Sequence, residues 1–285
     1  MDFPFDLERE IFETAAEVNP AVIPNLLLVS HRVHQWIEKI RYRTFTSERH
    51  RSASRVSLLR NVIQSKSKSP SFLHDHVRQL FIDHLLPNLD VDELNEILEA
   101  CSGIRFLVLF QASAPSILPA LGAMKPRRFC IFLAALFKGI PSMDLAHAAF
   151  SCVTHLEIFE TVETLLRNLP SFTWSTLSLL PVLTHLGVYK LDSLAVSTEI
   201  LASCTQLAVL VAIYNTPSDF NELLSIDERR FVAILLSDDD YEKDWLTGTR
   251  GGLDFWARAD SFVAKKRRRE IDPDSRCWIL PEDGI

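Results

Sequence analysis

Glycine is scarce, with eight in 285 residues. None of them builds a phosphate-cradling Walker loop or a dinucleotide fingerprint, so nucleotide-dependent chemistry has no visible footing. There is no G-x-S-x-G elbow and no H-E-x-x-H pair, which removes two sequence signs of hydrolytic catalysis. The five cysteines, Cys101, Cys130, Cys152, Cys204 and Cys277, form no close pair. An odd, scattered set reads as reduced thiols, which points to the cytoplasm or nucleus rather than to a disulfide frame. Long apolar runs are missing as well. No stretch reaches ~18 uninterrupted apolar residues, so no membrane span is expected. The start, MDFPFDLERE, is acidic and lacks an apolar core stretch, unlike a secretory signal. Carboxylates are plentiful, but none stands beside an obvious acid, base or nucleophile. The expectation is a chain that is not an enzyme and carries no cofactor and no metal.

What is present is ordinary globular material. Apolar residues make up 47% and charged residues 24%, enough for one or two packed domains. The net charge of −7 hides an asymmetry. Between Lys39 and Pro70 there are nine Lys or Arg and a single acid, Glu48. Only Tyr42 and Phe45 interleave this run. A solvated helix face and connector is the favoured reading, a polyanion contact the alternative. A nucleic-acid partner is not expected.

The first forty-five residues read as three short helices. Pro4 stands ahead of a helical pattern, where its missing N–H is harmless. Asp6, Glu8 and Glu10 crowd the first turns, where the helix dipole favours anions. Leu7, Ile11, Phe12 and Ala15 recur on one face, and Asn19-Pro20 ends the pattern. A second helix is predicted over Pro24 to Leu28. A third carries Val29, Val33, Trp36, Ile37 and Ile40 on one stripe. So small a unit leans on a neighbour or a partner.

This stretch resembles an F-box, which opens with Leu-Pro, has an Ile-Phe pair one to two turns later and closes with Val-Ser-Arg-x-Trp. Here stand Phe3-Pro4, Ile11-Phe12 and Val29-Ser30-His31-Arg32-Val33. Phe3 replaces the usual Leu. Val33 stands where the Trp is usual, and Trp36 follows one turn later. The spelling is most similar to the divergent F-box-like proteins of mushroom-forming (basidiomycete) fungi. The resemblance implies docking on a Skp-type adaptor of a cullin–RING ubiquitin ligase. Pro4, Leu7, Ile11, Phe12, Leu26, Val29 and Val33 would then form the docking face or its supporting core. The alternative is a helical cap that seals the rest of the fold.

Beyond residue 70 an apolar-x-x-apolar-x-apolar rhythm returns five times, starting at Val77, Ile104, Val153, Leu183 and Leu207, with weaker copies at Arg128 and Phe231. The starts are spaced by 27, 24, 25, 30, 24 and 24 residues, the period of a leucine-rich repeat. A longer self-match runs Ile97-Leu98-x-x-Cys101-x-x-Ile104-x-x-Leu107 and again Ile200-Leu201-x-x-Cys204-x-x-Leu207-x-x-Leu210. The Cys there reads as a small buried apolar residue. One strand–helix unit cannot bury its own apolar face, whereas stacked units share a continuous core. The predicted fold is α/β: a three-helix F-box-like module (1–45), a basic helical connector (46–75), then an irregular leucine-rich-repeat solenoid with a curved parallel sheet and a C-terminal capping helix (76–285).

Strand side chains alternate, so the third and fifth positions of each copy point away from the repeat core. They include Phe81, Phe106, Val108, Phe132, His155, Glu157 and His185, with Tyr189 two positions further on; Ala233 and Leu235 take these places in the last copy. So apolar a face either binds a client or is covered by the chain itself. The stripe Phe255, Trp256, Ala259, Phe262 and Val263 is the obvious cover, and partial self-covering is favoured. His155 and His185 occupy matching places and are read as a polar ladder rather than a metal pair. Lys265 to Arg269 suits a helix end or, alternatively, a nuclear import signal. Asp238 to Asp240 reads as a helix start and Gly248 to Gly252 as a flexible entry to the last helix. The functional expectation is a substrate receptor of a cullin–RING (SCF-type) ligase, selecting an unidentified protein client. Its rival is a repeat scaffold with no ligase role.

Overall fold

The computed structural model describes residues 4–47, 55–83, 89–110, 113–140, 143–216, 229–272 and 276–285. Phe3 lies outside them. The N-terminal module is built from α1 (Phe5–Val18), a 3-10 turn (Pro20–Val22), α2 (Ile23–Leu26) and α3 (His31–Arg41). Pro4 precedes α1, and Asp6 and Glu8 occupy its first turn. The Ser30 hydroxyl accepts the Val33 N–H and starts α3, a cap worth about 1 kcal/mol. Ala16, Ile23, Val33, Trp36 and Ile37 form a small core, with Phe12, Leu26 and Ile40 packed on its margin. The second helix begins earlier than the sequence pattern suggests, because Pro20 and Pro24 both fit first-turn positions where no N–H is required.

The remainder is α/β. Eight strands form one open, curved sheet: β1 (Thr44–Thr46), β2 (Gln79–Ile82), β3 (Phe106–Leu109), β4 (Arg128–Ile131), β5 (His155–Ile158), β6 (His185–Tyr189), β7 (Val209–Tyr214) and β8 (Phe231–Leu235). Every neighbouring pair is parallel, and the spatial order is the chain order. Between the strands lie α4 (Arg55–Gln64), α5 (Pro70–His76), α6 (Val91–Ala100), α7 (Leu118–Met124), α8 (Leu133–Leu136), α9 (Val162–Asn168) and α10 (Leu194–Ser203). Parallel neighbours need such crossovers. All these helices contribute to one core, against Leu80, Leu107, Phe129, Leu156, Leu186, Leu210 and Phe231 of seven successive strands.

The junctions repeat at atomic detail. The Arg43 carbonyl accepts from two successive N–H groups, those of Arg78 and Gln79. The Arg78, Arg105, Arg127, Thr154 and Thr184 carbonyls do the same for the next strand in each case. The two cysteine copies also match. The Cys101 N–H donates to the Ile97 carbonyl and that of Ile104 to the Cys101 carbonyl; Cys204 and Leu207 make the same two bonds to Ile200 and Cys204. Cys101 and Cys204 are fully buried. Burial pushes the Cys101 thiol up to about 12, so it sits there as an inert apolar group.

Two strand frames differ from the sequence reading. Phe106 pairs with Arg128 and Leu210 with Phe231, so Arg128 is a third position and Phe231 a fourth. The shift in β8 is odd, and an odd shift exchanges the faces. Ala233 therefore lies in the helix-side core, and Val232 and Ile234 take the other side. The short β1 extends the sheet across residue 45, where the sequence reading placed the end of the module.

Candidate docking surfaces

The sheet face opposite the crossover helices is filled by the end of the chain. There α11 (Asp238–Thr249) and α12 (Phe255–Arg267) lie against it. Tyr241, Phe255, Trp256, Ala259, Phe262, Val263 and Ile271 pack on Phe81, Val108, Cys130, Val211, Ile213, Val232 and Ile234. Gly187 explains how the largest of these fits. A Cβ there would stand 3.1 Å from the Trp256 ring, so the missing side chain makes the slot. Burying six large side chains contributes on the order of 10 kcal/mol, too much for a cover that a weak ligand displaces.

Phe81, Val108 and Glu157, expected on a client surface, are buried beneath this cover. That expectation is corrected for these three residues: they belong to a second core. Phe106 is half-buried under the Arg128 guanidinium, 4.8 Å from its ring centre. Glu157 accepts a 2.5 Å hydrogen bond from the Tyr241 hydroxyl. Burial pushes its carboxyl up to about 8, partly opposed by hydrogen bonds from Tyr241 and Cys130, so it is protonated at neutral pH. The cavity around it is about 20 Å³, room for a single water at most and not for a substrate.

His155 and His185 are half-buried and do stand side by side, their rings stacked at 4.0 Å and 3°. The edge of Trp256 meets both. Each Nδ1 lies within hydrogen-bond reach of the preceding threonine hydroxyl, 2.9 Å from Thr154 and 2.8 Å from Thr184. Desolvation first, then the neighbouring His185 and Arg128, press the His155 pKa down to about 2. It is a neutral, packed ring. Asp260 adds a contact to His185 Nε2 at 3.0 Å. Among the described residues no group of three or more His, Cys, Asp or Glu is placed to hold a metal.

The cover is tied down at its ends. Asp254 caps α12 by accepting the Ala257 N–H at 2.9 Å and pairs with Arg128 at 2.7 Å. Gly248 permits this turn, since a Cβ there would fall 1.9 Å from the Asp254 carboxylate. Within Gly248–Gly252 the Arg250 and Gly252 N–H groups donate to the Thr247 carbonyl and that of Gly251 to the Gly248 carbonyl. Asp238 to Asp240 form the first turn of α11, capped by Ser237. Lys265 to Arg269 close α12: Lys266 is buried, Lys265 reaches the Asp283 carbonyl and Arg267 the Ala208 carbonyl. The run is not presented as an extended basic peptide.

Part of the expected surface stays open. Phe132 and Tyr189, both half-buried, meet Phe159, which stacks on Tyr189 at 4.9 Å. Together with Lys138, Thr164 and Asn168 they line a groove of about 890 Å³ where β4, β5 and β6 end. The fully buried face is capped; its C-terminal rim is not.

The N-terminal module shows the opposite arrangement. Val33 is completely buried, and Phe12 and Leu26 are half-buried on the core margin, so these three support the module. Pro4, Leu7, Ile11 and Val29 are exposed, the last three at 48%, 54% and 55%. Helical spacing puts Pro4, Leu7, Ile11 and also Val18 on one face of α1. Sequence reasoning missed Phe5, Val18 and Leu28, which are exposed as well. Their signal was present: large apolar residues in excess of what a core this small needs. Ion pairs Arg32–Glu8 at 2.5 Å and Arg43–Glu17 at 2.6 Å tie α1 to α3 and its end and leave the apolar face unobstructed. Trp36 is buried one turn after Val33, with Phe5 edge-on at 5.3 Å. No helix among the described residues is long and apolar enough to cross a membrane. No protein-family model matches this chain, and neither a curated protein nor a solved structure matches it.

Proposed function

We propose that this protein is a non-catalytic adaptor, the substrate receptor of a cullin–RING (SCF-type) ubiquitin ligase. Its N-terminal module is an F-box that docks a Skp-type adaptor, and its repeats form a leucine-rich-repeat solenoid that holds a protein client. One observation carries this reading. Leu7, Ile11 and Val29 are exposed on a module whose own core is already complete. An apolar face of this kind marks an interaction site. A helical cap would instead turn its apolar side chains toward the sheet. The groove beside Phe132, Phe159 and Tyr189 is the accessible place for a client. The chain would act by proximity, raising the concentration of a client near a ubiquitin-charged partner.

The test is capture of a Skp-type adaptor by the full chain and by a Leu7→Asp/Ile11→Asp variant. Both positions are exposed, so the variant keeps its fold. Capture by the parent and loss in the variant supports docking. Equal capture, or none by either, removes the ligase role and leaves the rival reading, a scaffold that binds partners without a ligase.

A further inference from the structure

A second site lies at the seam between the N-terminal module, β1 and the end of α11. It is a cleft of about 470 Å³, within the range of small-ligand sites. Three arginines line it: Arg43 after α3, Arg55 at the start of α4 and Arg250 just beyond α11. They come from three separate elements, and Glu17 is the one carboxylate among the lining residues.

The three arginines differ in what already holds them. One nitrogen of Arg43 donates to Glu17 at 2.6 Å. Arg55 donates to the Arg41 carbonyl at 2.5 Å and lies over the Phe45 ring at 5.3 Å, which orients its plane. The Arg250 guanidinium has no hydrogen bond and no ion pair among the described residues. A cation beside a helix C-terminus suits the dipole of α11. That accounts for Arg250 alone and not for three arginines lining one cleft. Like charges brought together repel, so their grouping needs a cause beyond the helix end.

The basic stretch of the sequence divides accordingly. Arg60 pairs with Glu93 and Lys68 with Glu38, as a solvated connector would. Arg43 and Arg55 instead face a cleft completed by a residue some two hundred positions away. A guanidinium offers five N–H donors in a planar fork that matches phosphate oxygens in pairs. We propose that this cleft binds a phosphate monoester or a pyrophosphate-sized anion, with Arg250 and Arg43 as its principal contacts. The site is independent of the adaptor reading.

Calorimetric titration of the full chain with inorganic pyrophosphate, and separately with a short phosphoserine peptide, tests this at constant ionic strength. Saturable binding is expected, weakening as salt rises. Arg250→Gln should weaken it by about 10-fold and Arg250→Lys should restore part of the loss, because Lys keeps the charge without the fork. Glu17→Gln should tighten it by about 3-fold by removing the competing carboxylate. Arg250 is exposed, and unchanged thermal melting of its variants shows that the fold is intact. Tighter binding of the peptide assigns the phosphate to a modified protein; tighter binding of pyrophosphate assigns it to a free ligand; either supports the site. Absence of saturable binding to both probes, or a dissociation constant unmoved by Arg250→Gln and Glu17→Gln, overturns it.

Discussion

The inner face of the sheet and the outer face of α1 are both apolar, yet they meet opposite fates. The first faces α11 and α12, which the same chain supplies. The second stays about half exposed. An apolar stripe in sequence therefore has two meanings, separated by whether the chain carries a complement of matching size. Phe255, Trp256, Phe262 and Val263 are that complement for the sheet. Among the described residues no comparable stripe lies against Leu7 and Ile11.

Removing the complement should break the comparison most severely. A chain ending at residue 236 loses α11, α12 and the C-terminal tail, and with them stabilisation on the order of 10 kcal/mol, comparable to the whole stability of a domain. It is expected to aggregate or stay unfolded, read by size-exclusion chromatography and circular dichroism. A soluble, cooperatively melting product would mean that the cover is dispensable. Next in size, Trp256→Ala empties the slot above Gly187 and should cost about 3–5 kcal/mol in denaturant unfolding. A loss under ~1 kcal/mol would show that the slot collapses without penalty.

A smaller effect comes from the buried Glu157. A carboxyl whose folded pKa lies above its unfolded value holds its proton more tightly when folded. Its stabilisation is complete below the unfolded pKa and is lost as pH rises through about 8. From about pH 7 to 8.5 the parent should lose roughly 1 kcal/mol of stability through this group. His155, neutral with its pKa near 2, acts on the other side: it favours the fold above its unfolded pKa and costs stability as pH falls below it. Glu160, pushed up by burial to about 7, has given most of its effect by the start of this window. Glu157→Gln should flatten the alkaline slope, and equal slopes in parent and variant would count against a protonated Glu157.

How much of this the chain announced beforehand depends on the element. The strands β2, β3, β5, β6 and β7 were legible because the copies that begin at Val77, Ile104, Val153, Leu183 and Leu207 each keep a clear apolar rhythm. The β4 and β8 frames were not, because Phe129-Cys130-Ile131-Phe132 and Phe231-Val232-Ala233-Ile234 are apolar on both sides. A strand buried on both faces erases the alternation that fixes its register. β1 escaped because Thr44-Phe45-Thr46 is too short to show a period. The cover was visible as a stripe, but its partner Glu157 was not, since a buried protonated acid looks in sequence like a surface charge. Arg43, Arg55 and Arg250 came together only through the topology.

The smallest expected effect on stability is at the module. Ile11→Asp should change the melting free energy by less than about 0.5 kcal/mol, because the side chain is exposed. A large loss would mean that Ile11 packs on something within the chain.

Hydrogen exchange of the full chain, alone and saturated with a Skp-type adaptor, compares the two faces in one measurement. Docking through the module predicts added protection within residues 5–18 and 23–33 and unchanged protection across residues 238–267. Added or lost protection in 238–267, with residues 5–18 unaffected, would contradict it.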